Sequence, residues 1–378
     1  MIYIYFKSSQ DKKITSTDAI NLKNQISSDL SKTQDTDQLE IILVTAGQTI
    51  IHPVKNINRG QVISVVKQFQ QDLTNVRRPL AYQKSGQQLY KWLISPIESD
   101  LKSNKINNLI FILDEGLRSL PIAALQDENT YILESYSINI MPSVSITNTE
   151  YRDLRNQEVL AMGASKFSDK KSLPAVPLEL SIITKQLWKG RSYLNNEFTI
   201  NNLNKSRKLG QFHIIHIATH ANFETGSIDR SYIQFWNEKL SLNLLRSLKL
   251  GDDPSVDLLV LSACRTALGN KQTELGFAGA AFLANVKTVL ASLWEVSDEG
   301  TLGLMTSFYS RLKLDLIKAE ALRQAQLSLI NGKVRIENGQ LVTPEGIFPL
   351  PAQLKNATNK SLKHPYFWSG FTMIGSPW

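Results

Sequence analysis

Cys264 and His220 are the residues whose types and placement suit covalent chemistry. Each follows an apolar run. Phe212-His213-Ile214-Ile215-His216-Ile217-Ala218 leads into Thr219-His220, and Val256 to Ser262 leads into Ala263-Cys264. A thiol attacks as thiolate, and a neighbouring imidazole takes its proton or holds the pair ionised. Backbone N–H groups at a tight turn after a strand form an oxyanion hole. Those of Ala221 and Cys264 are the candidates here. The chain has one cysteine, so Cys264 is its only thiol and no intrachain disulfide forms. That usage suits a reducing compartment.

Plainer readings compete with this one. A single cysteine near a buried strand is commonly a small core hydrophobe. His213, His216 and His220 raise the question of a metal. Along an extended strand side chains alternate, so His213 faces away from His216 and His220. No Cys or Asp partner follows at finger-like spacing, and no metal site is expected. His216 lies inside its apolar run and reads as a satisfied core histidine, whereas His220 stands at the strand's end, where side chains reach a site. Gly276-Phe277-Ala278-Gly279-Ala280-Ala281 lacks the Gly-Lys-Ser/Thr ending of a phosphate loop. Asp114 and Glu115 end a strand and read as turn residues.

The elements that must position these residues alternate in type. Leu39–Val44 and Thr49–Val54 read as a hairpin, Gln61–Leu73 and Tyr82–Leu101 as helices, and Asn108–Leu113 as a strand buried on both faces. Tyr131–Met141 alternates like a strand. In the second half, Glu158–Met162, Ser192–Leu194, Phe212–Ala218, Val256–Ser262 and Thr288–Leu293 read as strands. Leu178–Leu187, Glu274–Ala284, Asp298–Leu312 with Ser297 as N-cap, and Lys318–Leu329 read as helices. This rhythm predicts an α/β fold with a mainly parallel sheet flanked by helices, whose site gathers at the strands' carboxyl ends. Residues 1–38 are expected to form a partly ordered lead-in, with a strand-like start at Ile2–Phe6 and one helix near Asp18–Leu30. Two α/β lobes are expected to follow, 39–153 and 154–378, the second catalytic.

Ser262-Ala263-Cys264-Arg265-Thr266 resembles the caspase pentapeptide, Gln-Ala-Cys, then Arg, Gln or Gly, then Gly. That signature has a histidine about 50 residues upstream, and here 264 − 220 = 44 residues separate the pair. The closer resemblance is to the CHAT domain, a caspase-like peptidase family common in bacteria and often fused to helical repeats. It is carried by Leu109–Leu125, with the core Leu117-Arg118-Ser119-Leu120-Pro121-Ile122-Ala123-Ala124-Leu125, and by Ala218-Thr219-His220 and Asp257–Thr266. Leu290–Asp298 and His364-Pro365-Tyr366-Phe367-Trp368-Ser369-Gly370-Phe371 complete it, and it runs from about Leu39 to Trp378. The resemblance implies a caspase-type sheet, a His220/Cys264 dyad, and endopeptidase activity without a cofactor. The alternative is a non-catalytic caspase-like protein-interaction module, against which the retained pair argues.

Two positions depart from the family's pattern. Ala221 stands where glycine is common, and its N–H still donates, with less backbone freedom. Arg265 stands where Gln or Glu is common, and its charge would help hold Cys264 as thiolate. Relatives that cleave after basic residues can carry an acidic residue two positions before the cysteine. Here it is Ser262, so a neutral or acidic side chain before the cut is expected, with no strong Arg/Lys preference. Leu293-Trp294-Glu295-Val296 is expected to line the groove, Trp294 and Glu295 meeting a peptide that adds as a strand.

Composition bounds the rest. The chain has 378 residues, 42% hydrophobic and 20% charged, which suits a sizeable core without staples. Its net charge of +8 comes from scattered lysines and arginines, with only short clusters such as Lys166, Lys170 and Lys171. That reads as a solvated basic surface, and nucleic acid is not an expected partner. Met1 to Gln10 is too short and polar for a signal peptide. No apolar run reaches the roughly 18 residues of a membrane helix, so a cytoplasmic location is expected. The expected partners are a protein or peptide substrate and, as no helical-repeat sensor is visible, a separate regulatory protein.

Overall fold

The computed structural model describes residues 1–8, 34–144, 147–210, 212–222, 230–252, 255–262, 279, 281, 284–315, 317–355 and 359–378. The helix expected near Asp18–Leu30, Cys264, Arg265 and most of the helix expected over Glu274–Ala284 lie outside these residues. The chain divides into two units, Met1–Thr147 and Asn148–Trp378.

In the first unit, β1 (Ile2–Lys7) stands between β2 (Gln38–Val44), antiparallel to it, and β4 (Asn108–Leu113), parallel to it. The strand-like start of the chain is thus an inner strand. β3 (Thr49–Asn58) pairs antiparallel with β2, and β5 (Ser137–Ile140) pairs parallel with β4. Helix α1 (Arg59–Thr74) opens with a capping box, Asn58 and Gln61 each accepting the other's backbone N–H. It buries Val62, Val66, Phe69 and Leu73, one stripe at helical spacing. Residues 82–101, expected as one helix, form α2 (Tyr82–Leu93) and α3 (Glu98–Ser103) with a 3₁₀ turn at Ser95–Ile97 between them. Pro96 explains the break, because it has no N–H to continue the ladder. Residues 131–141, expected as a strand, begin instead with a helical turn, α4 (Ile132–Ser135), before β5. The Glu134 carboxylate accepts the Tyr131 N–H and closes that turn.

The second unit carries a six-stranded sheet in the order β18–β13–β12–β8–β6–β7. These are β6 (Val159–Gly163), β7 (Gly190–Leu194), β8 (Ile214–Ala218), β12 (Leu258–Ser262), β13 (Thr288–Ser292) and β18 (Phe371–Gly375). Four of its five pairings are parallel, and only β18 runs against its neighbour. Every residue of β6, β8, β12 and β13 is buried, as their apolar runs require of strands covered on both faces. Helix α5 (Val176–Ser181) follows β6 and passes into one π turn, Ile182–Leu187, where Trp188 N–H reaches back to Ile183 O. Helix α6 (Ile200–Leu209) leads to β8. Two-residue β9 (Ala221–Asn222) follows β8 and forms a small sheet with β10 (Tyr232–Gln234) and β11 (Lys239–Ser241). A short helix, α7 (Leu242–Ser247), comes next. After β13, α8 (Asp298–Leu312) is capped by Ser297, as its sequence indicates, and packs on α9 (Lys318–Ile330), after which β14 (Arg335–Glu337), β15 (Gln340–Thr343), β16 (Gly346–Pro349) and β17 (Lys360–Ser361) form a second small sheet. No helix among the described residues is long and apolar enough to cross a membrane.

Candidate active site

The parallel register sets the site. Gly163 pairs with Ala218 and Ala218 with Ser262, so the carboxyl ends of β6, β8 and β12 lie side by side. Close packing there needs a glycine. A Cβ on Gly163 would meet Ala218 O at 2.4 Å and Val176 Cγ1 at 2.8 Å. Just past β8, Thr219 N–H donates to Ser262 O at 3.3 Å and Thr219 Oγ1 donates to Gln234 O at 2.6 Å. His220 follows, its carbonyl accepting Gln234 N–H at 2.9 Å. The backbone of His220 is therefore fixed to both the main sheet and the small one.

The imidazole is fixed as well. Its Nε2 lies 2.6 Å from Lys171 O, and Phe167 packs against the ring, tilted by 60° with 4.7 Å between centroids. A carbonyl only accepts, so Nε2 carries the proton and Nδ1 is left with its lone pair. The neutral ring is thus held in the tautomer of a proton acceptor at Nδ1. Ala221 pairs with Ile233, and the Gln234-to-His220 bond makes this the non-hydrogen-bonded pair of the ladder. The Ala221 N–H therefore points away from β10.

Ser262, 7% exposed, turns its hydroxyl inward and donates to Glu179 Oε1 at 3.0 Å. The same oxygen lies 2.9 Å from His216 Nε2, and His216 Nδ1 lies 3.2 Å from Tyr309 Oη. Burial and the nearby Glu179 raise the Tyr309 phenol well above its ordinary pKa, so it serves as donor to Nδ1. His216 is then the core histidine its sequence position indicates, wholly buried between a hydroxyl and a carboxylate. His213 is at the opposite edge of the sheet. Its Nδ1 lies 2.7 Å from Ser255 O and 3.0 Å from Asp257 Oδ2.

Beside Ser262 lies a cavity of about 40 Å³. Thr219, Ser262, Ser292, Thr301, Glu179 and Asp298 are among the residues that line it. Asp298 Oδ2 accepts the Ala175 N–H at 2.7 Å. Burial, with repulsion from Glu179 and Glu299, pushes its pKa up to about 7. Of the groove residues expected from sequence, Trp294 is 8% exposed, with Nε1 donating to Tyr366 O at 3.1 Å. Glu295 is exposed, and its carbonyl accepts from Tyr366 Oη at 2.7 Å. Neither lies in the cavity wall, where Val296 and Asp298 stand instead.

Glu179 and Asp298 were not singled out in the sequence. Glu179 leaves a signal there, since it falls in the apolar stripe of Val176, Leu180 and Ile183. A carboxylate at such a position needs a buried partner. Asp298 leaves none, because an acidic residue in the first turn of a helix needs no further explanation.

The CHAT domain family model matches residues 83–376, most of the chain. The chain belongs to the CHAT domain family. Among solved structures, the CHAT chain is similar to separase in the Saccharomyces cerevisiae separase–securin complex, with 13% identity and a TM-score of 0.45. That match covers 76% of the CHAT chain but only 17% of the separase chain. It is also similar to the Arg-specific cysteine proteinase gingipain R, with 10% identity, a TM-score of 0.45, and 84% and 74% of the two chains covered. The Porphyromonas gingivalis complex of gingipain pro- and mature domains gives 10% identity, a TM-score of 0.44, and coverage of 84% and 75%. No curated protein matches the CHAT chain.

Proposed function

We propose that this CHAT protein is a cysteine endopeptidase with His220 and Cys264 as its catalytic dyad. The observation that carries the reading is the fixed His220 ring. Lys171 O engages Nε2 at the carboxyl edge of the sheet, next to the strand whose last residue stands two positions before Cys264. The family assignment supports it.

The steps follow from that tautomer. Nδ1 takes the Cys264 proton, and the resulting imidazolium is stabilised through Nε2–H by the Lys171 carbonyl. The thiolate attacks the scissile carbonyl carbon, and the carbonyl oxygen gains the electron pair. The Ala221 N–H, free of the β10 ladder, and the Cys264 N–H are its donors. The C–N bond then breaks as the imidazolium protonates the leaving amine, leaving a thioester on Cys264. Water, deprotonated by His220, releases the acid and restores the thiol. Arg265, next in the chain, favours the thiolate by its charge.

The test is cleavage of a diverse peptide library by wild type, Cys264→Ala and His220→Ala. Cleavage by wild type that falls to background in both variants is expected. Cleavage that survives in Cys264→Ala sinks the dyad, and peptide binding without turnover in all three favours the protein-interaction module.

A further inference from the structure

The cavity beside Ser262 is acidic. Its lining residues include the apolar Leu173, Val176, Val296 and Phe371 and the acidic Glu179 and Asp298. No lysine or arginine stands among the described lining residues. The Glu179 carboxylate is 2% exposed and meets the Ser262 hydroxyl and the His216 ring. Asp298 faces the same space, held by the Ala175 N–H. The groups that bear on it electrostatically are Glu179 and Glu299, which repel, and Lys171, which attracts.

Two carboxylates sharing a partly dry cavity repel each other, and each is costly to ionise without a cation. A volume of about 40 Å³ holds two or three waters, which an entering ammonium or guanidinium group displaces. Apolar walls with a charged end match a side chain that has a methylene stem and a cationic head. An acidic side chain would add a third like charge, and an aliphatic one would desolvate the carboxylates without pairing them. The cavity lies at the ends of β8 and β12, touching Thr219, next to His220, and Ser262, two residues before Cys264.

We propose that this cavity receives the side chain on the amino side of the scissile bond, and that Asp298, with Glu179 behind it, selects lysine or arginine there. The proposal rests on the peptidase reading above. It reverses the preference expected from Ser262 alone. The serine is neutral, but negative charge reaches the cavity from α5 and α8 instead of from β12.

The experiment uses the full chain and a peptide cut in the library, remade with Lys, Arg, Leu or Asp before the cut. Wild type is expected to cleave the Lys or Arg peptide with kcat/KM at least about tenfold above the others. Asp298→Asn is expected to lower kcat/KM for the basic peptides about 10- to 100-fold, the worth of one charge-assisted bond. The Leu peptide should change less than about threefold on the same scale. In wild type the basic preference should grow as pH rises through the range in which Asp298 ionises, and Asp298→Asn should flatten that rise. Cys264-dependent cleavage led by Leu or Asp, or unchanged by Asp298→Asn, overturns the pocket proposal and leaves the peptidase reading standing. A binding arm covers a latent enzyme. Acetylated tetrapeptide amides ending in Lys, Arg, Leu or Asp are titrated into Cys264→Ala. Tighter binding of the basic peptides, lost when Asp298→Asn is added, supports the pocket. Equal affinities, or no binding up to millimolar peptide, overturn it whatever the turnover result.

Discussion

Asp298→Asn should make the protein more stable than wild type at pH 8, and by less than half as much at pH 5. The folded-state pKa of Asp298 is pushed up to about 7 from an ordinary 3.8, mainly by burial. Between those values the folded chain holds a proton that the unfolded chain releases. Stability therefore falls as pH rises from about 4 to about 7, and this group adds nothing further above that. A shift of about three units at 1.36 kcal/mol each sets a ceiling of about 4 kcal/mol. Partial exposure and screening reduce the expected effect to about 2 kcal/mol. Asparagine keeps an oxygen for the Ala175 N–H and cannot ionise, so it escapes this loss. The assay is urea unfolding of both proteins at pH 5, 6, 7 and 8, read as the difference between them, in which other titrating groups cancel. A difference that does not change with pH would refute the reasoning. So would a variant that is the less stable one at pH 8, since that would mean Lys171 and the N-terminus of α8 stabilise the charge more than burial destabilises it.

Gly163→Ala should cost about 1–3 kcal/mol, because its methyl would press on the Ala218 carbonyl, which the sheet holds in place. The shift would reach His220 two residues on, so kcat/KM of the folded variant should fall too, and unchanged activity would mean that β8 does not position the histidine. Asp257→Ala should cost about 3–5 kcal/mol by urea unfolding. It leaves Lys287 Nζ, 2.8 Å away, and Arg152 Nε, 2.9 Å away, without their buried carboxylate. Asp257 sits at the opposite edge from His220, so kcat/KM per folded molecule should stay within about threefold of wild type, and a larger drop would tie that edge to the site.

The parallel part of the second unit's sheet was legible because its strands are continuous apolar runs, whereas β18 was not read as a strand. β8, β12 and β13 are near-continuous apolar runs that end in polar residues, and only a strand buried on both faces accounts for such a run. α8 was legible from Ser297 onward because its cap and its first turn are local. Residues 82–101 and 131–141 were misread for a reason of scale. Apolar spacing alone passes over Pro96 and over the Tyr131–Glu134 turn, where one or two backbone hydrogen bonds decide the outcome. The position of His220 just past the end of β8 was readable from the apolar run before it. Lys171 was not, since its part is played by a backbone carbonyl, which any residue type supplies. Glu179 and Asp298 are 298 − 179 = 119 residues apart in the chain and meet only through the packing of α5 and α8.

That late meeting bears on what the cavity is for. A chain under selection for stability alone has simple remedies for Asp298, since asparagine keeps the Ala175 bond without the raised pKa. Ser262 and His216 already supply Glu179 with donors, so Asp298 adds nothing to its support. What Asp298 adds is charge, held in a cavity beside the residue before His220 and the residue two before Cys264. A carboxylate kept where it is hard to ionise is matched to a partner that arrives and leaves. A cationic side chain entering the cavity would lower the Asp298 pKa and return the burial cost as binding free energy. Residues that select a ligand and residues that hold the fold are then separate here. Glu179 supports strand β12 through Ser262, and under the pocket proposal Asp298 is the carboxylate that meets the substrate. The prediction that separates them is the sign of Asp298→Asn: stabilising for the fold above pH 7, and damaging for basic substrates over the same range.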